Sequence, residues 1–167
     1  MLNLKKLNID DAEKEFEAIK KIPKEESGFE NPMFDDTFEH FVNCTIPEYN
    51  KRSNGIGLPE GYVPDTYFFL WDDDKIVGLF KIRHYLNDFL RNGPGHIGYT
   101  IIKEYRGKGY ASKGLKLALD IAKDLVKEDE IYFSVLKSNP GSLQVQLNNG
   151  AYIKDENDTE YFTRIKK

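Results

Sequence analysis

Arg106-Gly107-Lys108-Gly109-Tyr110-Ala111-Ser112 lies where one hydrophobic period gives way to another. Before it, His96 to Ile102 reads as a strand. After it, Gly109 to Lys127 reads as a long helix, with Leu115, Ala118, Leu119, Ala122, Leu125 and Val126 on one face. Ile131 to Leu136 is again strand-like. Strand, helix and strand in that order predict a parallel pair joined by a right-handed crossover. Glycines in the turn let the backbone bend tightly and aim several N–H groups at one point. The N-terminus of the following helix adds partial positive charge, and Arg106 and Lys108 add full charges. The pattern predicts a cradle for a pyrophosphate. The plainer alternative is an ordinary strand-to-helix turn with a glycine cap.

Upstream, Leu4 to Leu7 reads as a first strand. Asp10 and Glu13 have the spacing of a capping box, and Ala12, Phe16 and Ile19 follow at helical intervals until Pro23. Residues 24 to 35 read as a loop. Asp36 and Glu39 repeat the capping spacing, with Phe38, Phe41, Val42, Ile46 and Tyr49 on one helical face, and Pro47 is expected to kink or end that helix. Residues 50 to 65 are again loop-like. Thr66 to Trp71, a turn at Asp72-Asp73-Asp74 and Lys75 to Leu86 predict a hairpin. The three aspartates read as a solvated turn, not a metal site. Downstream, Asn139 and Pro140 open a short helix that Gly150 closes, and Ala151 to Ile153 with Tyr161 to Ile165 form a last hairpin. The sum is one domain over residues 1 to 167, a mixed α/β fold with a mostly antiparallel central sheet.

A chain of 167 residues suits a single core. No apolar run approaches the ~20 residues of a membrane span, and no signal peptide is recognisable, so a cytoplasmic location is expected. Cys44 is the only cysteine, which removes disulfides and cysteine-based metal sites; no metal is expected. A net charge of −4 argues against nucleic acid as a partner. Within residues 103 to 116, however, Lys103, Arg106, Lys108, Lys113 and Lys116 face only Glu104. A basic island on an acidic chain suggests one anionic ligand held at one place. Gly93-Pro94-Gly95-His96-Ile97-Gly98 matches the dinucleotide-binding pattern by letter, but a loop precedes it and a strand follows, the reverse of what that motif requires.

The turn resembles motif A of the GNAT N-acetyltransferase family, Gln/Arg-x-x-Gly-x-Gly/Ala, with Arg106, Gly109 and Ala111 in its positions. The surrounding order of strands and helices over residues 66 to 165 is also that family's. Tyr67 to Trp71, Ile82 to Asn87 and Gly95 to Tyr99 are similar to a bacterial subgroup of predicted acetyltransferases. The resemblance implies acetyl-CoA as co-substrate and an acetyl group transferred to a primary amine, of a small molecule or a peptide, by direct attack. It implies that residues 107 to 112 (Gly107, Lys108, Gly109, Tyr110, Ala111 and Ser112) hold the CoA pyrophosphate through backbone N–H groups, alongside Arg106. Tyr99 to Lys103 would run beside the pantetheine, with Ile101 and Ile102 closest and Ile101 N–H polarising the thioester carbonyl. A bulge in that strand would splay it from the next parallel strand. Asn139 takes the place of the family's asparagine on the second CoA-contacting helix.

Where the family places an acidic tyrosine, seven residues beyond that asparagine, this chain has Gln146. The departure leaves a non-catalytic acyl-CoA-binding module as the alternative. For the base, His96 at the start of the splayed strand is the expectation and His84 the second choice, since an unperturbed imidazole titrates near ~6.5. A structural histidine is the competing reading of each. The acidic balance outside the basic island favours a cationic amine. Both a monomer and a homodimer are compatible with the sequence.

Overall fold

The computed structural model describes all 167 residues. β1 (Leu2–Lys6) leads into α1 (Ala12–Lys20). Two short strands, β2 (Glu25–Glu26) and β3 (Phe29–Glu30), form a small hairpin. α2 (Phe38–His40) runs through a π-helical turn at Phe41–Thr45 into α3 (Ile46–Ser53). β4 (Asp65–Asp72), β5 (Lys75–Arg83), a helical turn α4 (Asp88–Arg91) and β6 (Ile97–Ile101) follow. The 3-10 turn Lys103–Tyr105 precedes α5 (Tyr110–Leu125). β7 (Glu130–Leu136), α6 (Pro140–Asn148), β8 (Tyr152–Glu156) and β9 (Glu160–Lys166) complete the chain.

The strands make two principal sheets, in the orders β1-β4-β5-β6 and β7-β9-β8, every ladder antiparallel. β4 and β5 are central, and both read as nearly unbroken buried runs because helices cover each face. Tyr67, Phe69, Trp71 and Leu79 pack with α1 and the π turn on one side. Phe68, Leu70, Phe80 and Ile82 meet Leu115, Ala118 and Ala122 of α5 on the other. The α5 core continues to Ile131, Phe133 and Ile165, so one helix underpins both sheets.

Three local readings are corrected. Asp10 caps nothing: Asp11 holds the N-cap position, and its N–H is accepted by Asn8 Oδ1 at 3.0 Å. Thr37, not Asp36, caps α2, while Asp36 Oδ2 accepts from the Thr45 hydroxyl. Pro47 does not end its helix. The π turn just before it places Pro47 in the first turn of α3, where a missing N–H is tolerated. The 73–74 turn is as expected, with Asp73 at φ 52° in a conformation aspartate tolerates.

The strands that flank α5, β6 and β7, share no ladder. They touch only at one end, where His96 N–H donates to Tyr132 O at 2.7 Å and Gly95 bridges Phe133. Glycine is required there: a Cβ on Gly95 would lie 2.1 Å from Tyr132 O. The expected bulge in β6 is absent. Its ladder with β5 runs without a register shift, and the splay arises because β7 takes β9, not β6, as its neighbour.

Candidate active site

The splay opens a cleft of about 570 Å³. Its floor is β6, its far wall is β7, and the turn at 105–112 closes its wide end. α6 covers one side, through Asn139, Ser142 and Gln146, and the β2–β3 turn covers the other, from Glu26 to Phe29.

β6 supplies the floor through its unpaired edge. Arg83 N–H donates to His96 O (2.8 Å) and Ile102 N–H donates to Val77 O (3.0 Å), bracketing the β5–β6 ladder. The alternation of an antiparallel ladder then turns the backbone groups of Ile97, Tyr99 and Ile101 away from β5, toward the cleft. Ile101 O bears this out by accepting from Arg106 Nε at 2.9 Å. Ile102 is buried in the core on the other side, and its N–H is committed to Val77.

The turn delivers a second set of donors. Gly107 (φ 76°) and Gly109 (φ 80°) are left-handed, and neither has any atom within 4 Å of where a Cβ would stand. Gly109 is the N-cap of α5, so the N–H groups of Tyr110, Ala111 and Ser112 have no partner within the helix. The open space and converging donors suit a diphosphate. Arg106, Gly107, Gly109, Tyr110, Ala111, Ser112, Ile101 and Asn139 all line the cleft. Lys108 does not: its ammonium donates to Glu104 O at 3.4 Å and lies over the Tyr105 ring. Asn139 Oδ1 caps α6 by accepting from Ser142 N–H at 3.3 Å, leaving Nδ2 without an intramolecular partner.

The two histidines stand outside the cleft lining. His96 is fully buried. Its Nδ1 accepts from Tyr132 N–H at 2.8 Å, so Nε2 carries the proton and donates to Glu128 Oε2 at 2.9 Å. Burial holds the imidazole below its ordinary range, against the raising effect of Glu128. Protonating Nδ1 would set it against another N–H, so the ring stays neutral and has no free lone pair for a substrate proton. His84 is half-buried, with Nε2 2.9 Å from Thr66 Oγ1, and burial depresses it likewise.

A tyrosine does reach the cleft, from a strand instead of a helix. Tyr99 stacks on Phe80, with ring centroids 5.5 Å apart, and its hydroxyl lies 2.9 Å from Ser142 Oγ. Burial pushes the phenol up, and the Ser142 and Gln146 contacts oppose it. Gln146 is itself buried, its Oε1 accepting from the Thr163 hydroxyl at 2.6 Å. The sequence set Tyr99 beside the pantetheine as part of the strand, with no role for its side chain; the period-two run Ile97, Tyr99, Ile101 was the signal that set that side chain toward α5 and α6.

Two acids line the cleft, Glu26 and Glu160. Glu26 pairs with Arg106, which holds its carboxyl below the usual range. Glu160 has no ion-pair partner. It stands opposite Leu136 in the β7–β9 register and so shares that residue's face of the sheet.

A splayed sheet edge beside an unsatisfied helix N-terminus makes a slot with backbone donors along one side and at one end. The acetyltransferase (GNAT) domain family matches residues 2–151, and the chain belongs to that family. No curated protein matches it closely in sequence. Solved structures agree in fold. The spermidine N-acetyltransferase of Vibrio cholerae in complex with CoA and spermine is 19% identical, at TM-score 0.63, over 99% of this chain and 95% of that one. The N-acetyltransferase PseH of Campylobacter jejuni in complex with acetyl coenzyme A is 17% identical, at TM-score 0.62, over 100% and 99%. A GNAT-family acetyltransferase of Streptococcus pneumoniae is 13% identical, at TM-score 0.65, over the whole of both chains.

Proposed function

We propose that this protein transfers an acetyl group from acetyl-CoA to a primary amine by direct attack, and the unpaired edge of β6 beside the N-terminus of α5 is the observation that carries the reading. Acetyl-CoA supplies the activated acyl group as a thioester. The N–H groups of residues 109 to 112 bind its diphosphate, and those of Tyr99 and Ile101 orient the arm that follows. Ile101 N–H stands where charge grows on the acyl oxygen and needs no particular side chain to do so. Tyr99, not a residue of α6, donates the proton that the departing thiolate takes up, and its phenolate regains one from the second proton the acylated nitrogen sheds. Its hydroxyl is held at Ser142, one helical turn before Gln146, the position that lacks a tyrosine.

The acceptor must shed a proton, since an alkyl ammonium has a pKa near about 10.4. Glu160, the cleft acid without a cationic partner, draws the ammonium in and accepts the proton through water. A cleft carboxylate without an ion-pair partner supports a small cationic amine, and the spermidine acetyltransferases among the structural neighbours support the same choice.

Two measurements test this. Acetyl-CoA at 100 times its Kd should stabilise the protein by about 2.7 kcal/mol, while ATP and NAD should not. Gly109→Val should abolish that shift, because a β-branched residue cannot hold the left-handed turn, and leave the fold intact. A shift that survives in the variant places the diphosphate elsewhere. Thiol release that depends on spermidine, 1,4-diaminobutane or lysine tests transfer itself; binding without release from any amine would leave a sensor, not an enzyme.

A further inference from the structure

The β2–β3 hairpin consists of two rungs, Glu25 with Glu30 and Glu26 with Phe29, too few to be stable alone. Its base is firmly held. Asn31 is 1% exposed, donates through Nδ2 to Ile19 O (3.1 Å) and Ile22 O (2.9 Å), and accepts from Met33 N–H (3.2 Å). Its tip lies across the cleft: a Cβ on Gly28 would sit 3.7 Å from Leu136 Cδ1, and one on Gly98 would sit 3.7 Å from the Phe29 ring. The hairpin thus spans from β6 to β7 on the side opposite α6.

Arg106 reaches it from the turn. Nε donates to Ile101 O at 2.9 Å, and the two terminal nitrogens donate to the two oxygens of Glu26. Three of the five guanidinium N–H groups are committed within the protein, including the planar fork that would otherwise face a phosphate. With Lys108 folded back on Glu104 and Tyr105, the cleft side of the turn presents backbone donors instead of free cations.

We infer that Arg106 is a positioning residue that latches the hairpin over the cleft through Glu26, and that the hairpin is the wall against which the acceptor amine lies. The turn that grips the donor and the wall that meets the acceptor are then tied by one ion pair. This rests on the cofactor reading of the turn given above. Both partners are partly exposed, at 42% and 36%, so the latch steers the hairpin without deciding whether the protein folds.

The test is a double-mutant cycle of Glu26→Ala, Arg106→Ala and the pair together. Three readouts are needed: the acetyl-CoA Kd, hydrogen exchange of the amides of residues 25 to 30, and KM and kcat with 1,4-diaminobutane. Each single variant should speed hairpin exchange about threefold to fivefold, as suits a partly exposed pair, and raise the amine KM by a similar factor. In Glu26→Ala, kcat and the acetyl-CoA Kd should hold within about twofold; Arg106→Ala also loses the Nε bond to Ile101 O, so Glu26→Ala is the cleaner readout of the latch. The double variant should be no worse than Arg106→Ala alone, because the contact with Glu26 is already lost in that variant. If Arg106 is instead a diphosphate ligand, Arg106→Ala weakens acetyl-CoA tenfold or more, Glu26→Ala tightens it, and hairpin exchange does not change; that pattern overturns the latch. A wild-type protein that binds no acetyl-CoA would refute the cofactor reading and not the latch, which hairpin exchange decides by itself.

Discussion

Tyr99 of β6 and His96, one residue before that strand, have opposite fates. Tyr99 alternates onto the cleft, where its hydroxyl has a serine partner and a thiolate would lie within reach. Tyr99→Phe should lower kcat by about a hundredfold, the low end of what a general acid contributes, with the acetyl-CoA Kd unchanged. An equal kcat in the phenylalanine variant would remove tyrosine from the chemistry. His96 alternates into the clasp between β6 and β7, with both ring nitrogens bonded. His96→Ala should lower Tm by about 5–10 °C, since Glu128 and Tyr132 N–H lose their buried partner. Residual protein should turn over with an unaltered pH–rate profile. A lost acid limb in that profile, the side on which a general base is protonated, would return His96 to the catalytic role its sequence position suggests. A histidine at the start of a strand looks the same in sequence whether it serves a substrate or a backbone N–H; only the third dimension separates them.

At the scale of elements, the glycine turn, α5 and the strands around it were legible because their periods are long and their boundaries are marked by residues with one physical use. Asn139 was legible for the same reason. The N-terminal third was not. The capping signal at Asp10 was outweighed by Asn8, whose side chain accepts the Asp11 N–H and whose backbone N–H is held by Glu15. Pro47 was misread because a π turn can absorb the missing hydrogen bond, and no residue pattern announces one. The β2–β3 hairpin was taken for loop because two rungs carry no periodicity. That omission hid the ion pair, made across 80 residues between Glu26 and Arg106, that ties the hairpin to the glycine turn. The missing bulge in β6 shows how an expectation about geometry can have the right outcome for another reason: β7 is drawn off by β9.

The whole molecule carries two buried groups whose protonation shapes its stability. Glu15 of α1 is fully buried. Desolvation raises its carboxyl from 4.5 to about 8, outweighing the Asn8 N–H bonds that favour its charge. Between those values the folded state binds the more protons, so stability falls as pH rises through that window. His96 acts in the other direction. Its folded pKa is depressed below 6.5, so the unfolded chain binds the more protons below that value, and stability falls as pH drops under it. Thermal unfolding followed from pH 5 to 9 should therefore show its maximum on the acid side of neutrality. Glu15→Gln, which mimics the protonated acid, should raise Tm at pH 8 by about 3 °C and change it little at pH 5. A variant with the wild-type slope above pH 7 would assign the alkaline decline to another group.

The free edge of β6 has a meaning beyond binding. An exposed strand margin is a template on which an extended peptide can add itself, and here that margin is left open because β7 pairs with β9. The CoA arm, lying along it, would act as a stopper for a sticky seam. With that arm in place the margin would be covered against stray strands; without it the margin would stand bare.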